Sequence, residues 1–222
     1  CVTVTAYVDR LVWLSRQENT TVVSFGDLFR VPGSRESLSE AKASGGHAVM
    51  VYAPSQMLTM ARQQPDHQFV FAAVGFETTA PIYAGMIRRA KEEGLQNLKF
   101  LTSLKTMPAA LRWICDHEPD IHGFLAPGHV CAVTGIQDYE QIAKEYGIPF
   151  VVSGFSAQEL LAAIYALVCL QGKGELRNFY PSVVRPEGNP MAQSAVQEVF
   201  EPCGAAWPGI GRIEGSGLRL RE

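Results

Sequence analysis

The strongest constraint on this chain is an alternation. Short apolar runs, TVVSF (21–25), AVMVY (48–52), QFVFAAV (68–74), LKFL (98–101), 122–125 and 149–152, are separated by stretches of helical periodicity. Several of these runs are apolar at successive positions. Both faces of such a strand are buried, the situation of a parallel strand covered by helices. Over 136–146, Ile136, Tyr139, Ile142, Ala143 and Tyr146 share one face, Glu140 and Lys144 make an i,i+4 pair, and Gly147 supplies a stop. The segment 157–170 is apolar nearly all round, which predicts a helix sandwiched within the core. Six strand–helix alternations predict an α/β fold with a mostly parallel sheet.

The tail reads differently. NFYPSVV (178–184) has a proline mid-run and predicts an edge strand. EGNPMAQSAVQEVF (187–200) predicts a loop and a short helix starting near Pro190. WPGIGRIEGSGLRL (207–220) predicts two short strands turning around EGS. QQPDHQ (63–68) and LQGKGE (170–175) are the expected domain boundaries. They enclose a second α/β domain, 65–175, while 1–64 and 176–222 combine into a first, discontinuous one.

Composition narrows the function classes. Net charge is −3 and the pI is near 6.0, so no basic footprint for nucleic acid or anionic membrane is present. The longest apolar run, LLAAIYALVCL (160–170), has eleven residues, against the ~20 that span a bilayer. The five cysteines (Cys1, Cys115, Cys131, Cys169, Cys203) are scattered and odd in number. This argues against a disulfide framework and predicts a reducing, cytoplasmic location. No CxxC or HExxH occurs, no basic-plus-apolar signal opens the chain, and the start at Cys1 predicts a piece of something longer.

Three strand-to-helix corners carry unusual residues: SFGDLFRVPGS (24–34), GFETTAP (75–81) and APGHVCAVTG (126–135). In open parallel sheets ligands collect at such corners, beyond the carboxyl ends of the strands. Two readings stand for GFETT. Gly75 supplies a permissive backbone, Thr78 or Thr79 caps the following helix, and Glu77 favours its positive end; or Glu77 and a threonine face a ligand or partner. His129 is either a satisfied loop histidine or an acid–base or ligand group, with Cys131 two residues on. Asp27 and Arg30 read as a local i,i+3 ion pair, or as Arg30 held ready for a carboxylate. Cys1 reads as an inert or a functional thiol.

Together CVTVTAYVDR, SFGDLFRVPGS, GFETTAP, FLAPGHV, NFYPSVVRPEGNPMAQ and WPGIGRIEGSG resemble the HypD family of hydrogenase maturation factors, in order and spacing along essentially the whole chain. The resemblance implies two Rossmann-like parallel-sheet α/β domains facing a cleft. It implies a scaffold rather than a conventional turnover enzyme, one on which the Fe(CN)2CO group of nickel–iron hydrogenases is assembled. The implied partners are a HypC-type chaperone and a HypE-type cyanide donor. The complete family protein is implied to handle iron and to bind a 4Fe-4S cluster serving thiol redox steps. An upstream CGGHTH motif and a downstream cysteine-rich region are not in these residues, so the resemblance marks an internal fragment, with the cluster ligands outside it.

Carried over by motif, Cys1 matches the last cysteine of GPGCPVC and becomes a redox thiol of the complete protein. Glu77, Thr78 and His129 become active groups, Gly75, Thr79, Pro127 and Gly128 line their site, and no metal ligand is assigned. Residue 131, often serine in this family, is Cys here. The competing expectation is an α/β enzyme or binding protein for a phosphorylated or nucleotide ligand. Against it, neither GxGxxG nor GxxxxGK[ST] occurs.

Overall fold

The computed structural model describes residues 3–221. In chain order the elements are α1 (Thr5–Ser15), β1 (Thr20–Ser24), a 3-10 turn (Leu28–Arg30), α2 (Leu38–Ala43), β2 (Ala48–Met50), α3 (Pro54–Gln63), β3 (Gln68–Gly75), α4 (Ala80–Glu92), β4 (Leu98–Lys105) and α5 (Met107–His117). They continue with β5 (Phe124–Pro127), α6 (Gly128–Thr134), α7 (Gln137–Tyr146), β6 (Phe150–Ser153), α8 (Ala157–Cys169), β7 (Leu176–Asn178), α9 (Pro190–Val199), β8 (Phe200–Trp207) and β9 (Gly211–Leu220). Local chemistry explains many of the boundaries. Ser37 with Glu40 and Ser156 with Glu159 form capping boxes on α2 and α8, and Gly147 ends α7 in the left-handed conformation.

The elements make a six-stranded sheet in the order β2-β1-β3-β4-β9-β8 and a three-stranded sheet in the order β5-β6-β7. The first four strands of the larger sheet are mutually parallel, and β9 and β8 extend it as an antiparallel hairpin. The smaller sheet is parallel throughout. Two compact units result, and the fold is α/β with a separate sheet in each. Unit 1 comprises the chain through Gly75, Thr79–Lys105 and the chain from Glu198, and unit 2 comprises Phe76–Thr78 and Thr106–Gln197.

The expected boundaries near 64 and 176 therefore give way to crossings at 75–79, 105–106 and 197–198. Pairing is the reason. Gln68 to Phe71 register against Thr20 to Val23 of β1, so β3 joins the sheet begun upstream of QQPDHQ.

In unit 1 neighbouring residues of a strand serve opposite faces, as the pleat requires. Val22 and Ala72 bury against Tyr7 and Leu11 of α1 and Leu38 of α2. Phe71 meets Tyr83 of α4 on the other side, ring centroids 5.5 Å apart. In unit 2 the core gathers Leu111, Ala126, Cys131, Tyr139, Ile142, Phe150 and Val152.

Three sequence expectations are corrected. α8 is not sandwiched: Ala163 is its buried residue, while Leu161 and Tyr165 are 72% and 74% exposed. Its inner face needs little more than Ala163, which packs with Val151 and Leu170. NFYPSVV is not a strand past Asn178. The Asn178 carboxamide accepts from the Tyr180 N–H (2.9 Å) and donates to the Val184 carbonyl (3.0 Å), folding the chain into a turn before Pro181 can enter the ladder. The terminal hairpin turns at 208–210, where Gly209 (φ 76°) and, at the start of β9, Gly211 (φ 103°) take positive φ, and EGS lies inside β9. Among the described residues no helix is long and apolar enough to cross a membrane.

Candidate functional site

In unit 1 the strand order reverses between β1 and β3, since β2 lies on one side of β1 and β3–β4 on the other. Crevices form beyond the carboxyl ends at such a switch point. The loops at 25–27 and 75–79 both leave this edge, because β1 and β3 are parallel neighbours. An aromatic group sits beside them. Phe25 stacks on Tyr83 with ring centroids 6.5 Å apart, and the Tyr83 hydroxyl donates to the Val74 carbonyl at 2.8 Å. Burial, then the nearby Asp27 charge, pushes the Tyr83 hydroxyl up to about 12.

Gly75 has φ 148°, and a Cβ there would lie 1.9 Å from Thr79 Oγ1. Glycine is thus demanded twice, by conformation and by space. Thr79 occupies the N-cap position of α4 in a helical conformation and its side chain makes no cap bond, contrary to the capping expectation. The expected Asp27–Arg30 pair is also not formed among the described residues. Asp27 Oδ1 accepts instead from the Leu28 N–H at 2.9 Å, capping its own 3-10 turn.

Glu77 belongs to unit 2 and is 8% exposed. Its Oε1 accepts from the Met107 N–H at 2.6 Å, the first residue of α5. The N-cap residue of that helix, Thr106, makes no side-chain cap bond, so Glu77 caps a helix 30 residues downstream rather than its own. The other oxygen, Oε2, is buried without a partner, as is the hydroxyl of Tyr139 on α7. Cys131 on α6 is fully buried in the same surroundings.

Burial raises the pKa of each of these groups, and the Glu77 charge adds to the shift of the other two. Burial first holds the Glu77 carboxyl above the ordinary carboxylate value, against the Met107 hydrogen bond that lowers it. Burial and then the Glu77 charge push the Cys131 thiol up to about 12. The Tyr139 phenol is raised by burial, with Cys131 and Glu77 adding to it. A carboxyl, a thiol and a phenol thus lie within electrostatic reach of one another, each with its pKa held above its ordinary value.

His129 is exposed at the second position of α6, two residues from Cys131 and so on the other side of the helix. Its ring stacks on Phe155 at 4.8 Å and meets the edge of Tyr180 at 6.4 Å. These three residues follow the carboxyl ends of β5, β6 and β7, so the parallel register gathers them at one end of the sheet. Pro127 ends β5 in extended conformation, and a Cβ on Gly128 would lie 2.6 Å from Tyr180 Cδ1 and 2.7 Å from the Ser153 carbonyl. Only glycine admits that approach.

Thr78 is half-buried beside Glu77 in sequence and belongs to the same unit. Cys1 lies outside the described residues. Met107, Tyr139, Phe155 and Tyr180 were not singled out by motif; Tyr139 read only as a core-facing helix position. Among the described residues no three His, Cys, Asp or Glu side chains gather as metal ligands, and Cys115, Cys131, Cys169 and Cys203 are free thiols. This donor set does not fit a 4Fe-4S cluster, which takes four cysteine ligands.

Parallel strands linked through helices in each of two units, with glycine-bearing corners at their carboxyl ends, define an α/β protein. The family model for HypD, described as the hydrogenase formation hypA family, matches residues 1–222, and the chain belongs to that family. It is 39% identical over 226 residues to the hydrogenase maturation factor HypD of Rhodobacter capsulatus, covering 100% of this chain and 60% of that protein. It is 37% identical over 225 residues to HypD of Escherichia coli K12 (99% and 60%) and 36% identical over 233 residues to HypD of Cupriavidus necator (100% and 61%). The chain thus spans about 60% of the length of these curated relatives.

Proposed function

We propose that this chain is the central part of a cytoplasmic scaffold on which the Fe(CN)2CO group of nickel–iron hydrogenases is assembled. The observation that carries this reading is the family match over the whole chain. A HypC-type chaperone and a HypE-type cyanide donor are its partners, and iron with its diatomic ligands is the cargo rather than a resident cofactor. Thiol redox steps belong to the complete protein, through Cys1 and cysteines beyond these residues.

Within the chain the working groups are Glu77, Thr78 and His129, positioned by Gly75, Thr79, Pro127 and Gly128. Iron-bound cyanide and carbon monoxide end in small hydrogen-bond acceptors. Backbone N–H groups, threonine hydroxyls and an imidazole N–H are matched donors for them. The stacking of His129 on Phe155 supports this role by limiting how the ring can turn. Glu77, held toward its protonated form by burial, is suited to keep and release a proton without exposing a charge.

The test uses the longer protein in a strain that lacks its own copy. Glu77→Ala and His129→Ala should each reduce hydrogenase maturation while the HypC-type partner still co-purifies. Normal maturation in both variants would remove the site assignment, and failure of the unmodified protein to co-purify with that partner would remove the scaffold reading.

A further inference from the structure

At the antiparallel edge of unit 1 a lysine is buried without a counter-charge. Lys105 ends β4, is 2% exposed, and makes no ion pair among the described residues. Its Nζ donates to the Ala206 carbonyl and lies 5.6 Å from the Trp207 ring centroid. A carbonyl and an aromatic face solvate an ammonium only in part, and buried charges are otherwise paired. The nearby carboxylates do not serve it: Glu201 pairs with Arg219 at 2.6 Å and Glu214 with Arg212 at 2.7 Å.

Beside Lys105 lies a cavity of about 310 Å³, whose lining includes Tyr7, Thr102, Ser103, Cys203 and Arg219. The backbone builds it. The β8–β9 register shifts between Cys203 and Ala205, a bulge of the kind that re-aims side chains. Gly204 sits in that bulge, and a Cβ there would lie 2.5 Å from both Arg212 Nη2 and a Glu214 carboxylate oxygen, so a larger residue would displace the ends of these two exposed side chains. The volume is at the small end for a ligand site. An ammonium has three donors, one of which is engaged by Ala206.

We propose that this cavity binds a small oxyanion, of the phosphate, bicarbonate or carboxylate class, with Lys105 as its cation and the hydroxyl of Ser103, which shares the strand face of Lys105, as a neutral donor. The anion supplies the charge that the protein's own carboxylates, committed to Arg212 and Arg219, do not. Burial lowers the pKa of the lysine, and a bound anion would draw it back up.

Cys203 on the cavity wall serves as the reporter. The 222-residue chain is titrated separately with phosphate, bicarbonate and acetate at constant ionic strength, and iodoacetamide labelling of each cysteine is followed by peptide mass spectrometry. Saturable protection of Cys203 by at least one anion is expected, with the labelling of exposed Cys169 unchanged and the melting temperature raised by the same anion. Lys105→Met should weaken the apparent affinity at least tenfold. If that variant does not fold, Ser103→Ala should weaken it instead. Absence of saturable protection by all three anions, or protection undiminished in the folded variant, would overturn the proposal.

Discussion

Glu77 illustrates how much one side chain's role depends on its surroundings. By sequence it stands three residues before α4, where a carboxylate would ordinarily favour its own helix; in the fold it caps α5 and is buried with one oxygen unpaired. The sign of the pH effect follows from its raised pKa. A carboxyl whose pKa is higher folded than unfolded contributes stability that is fully present below the ordinary value of 4.5 and is lost as pH rises through the folded value. Glu77→Gln retains an acceptor for the Met107 N–H and carries no charge. The native chain should therefore lose stability relative to Glu77→Gln as pH rises from the ordinary carboxylate value of 4.5 toward neutrality and above. Denaturant titrations of both proteins across that range check this, and a difference that does not change with pH would refute it.

At the scale of elements, periodicity located the helices but could not say what covers them. α7 buries Tyr139, Ile142 and Ala143, the face its sequence pattern marks. α8, apolar nearly all round, leaves Leu161, Ile164, Tyr165 and Val168 exposed. An all-apolar helix carries no amphipathic stripe to show which side faces the sheet. Substitution distinguishes the faces. Leu161→Glu should change stability by no more than about 0.5 kcal/mol, as exposed positions do, whereas Ala163→Glu should cost about 3 kcal/mol or more by burying a charge beside Val151. Chemical denaturation of the two variants provides the comparison, and a large loss in Leu161→Glu would mean that this face is covered in solution.

Over the whole molecule, two sheets with separate cores are built by one chain that crosses more than once between units. Phe150, fully buried, stacks on Phe124 at 4.8 Å within the smaller sheet. Phe150→Ala should cost about 3–5 kcal/mol. The loss of amide-exchange protection should fall first on 106–197, with the β1–β4 ladder retaining more of its protection. Equal loss across both sheets would show that the two units unfold as one.

The α/β class, strands β1 to β6, the corners at Gly26, Gly75 and Gly128, and the family motifs were legible in the residues, whereas β7 and β8 were not. Backbone preference and burial demand are written locally, in glycines, caps and apolar runs. What the tertiary structure alone decided was partnership: β3 joining β1 across the expected boundary, Glu77 reaching α5, His129 finding Phe155 and Tyr180, and Lys105 closing over a bulge in β8. Those outcomes depend on which distant segments meet and in what register. A side chain's neighbours, charge cost and accessibility do not exist until the chain has closed on itself.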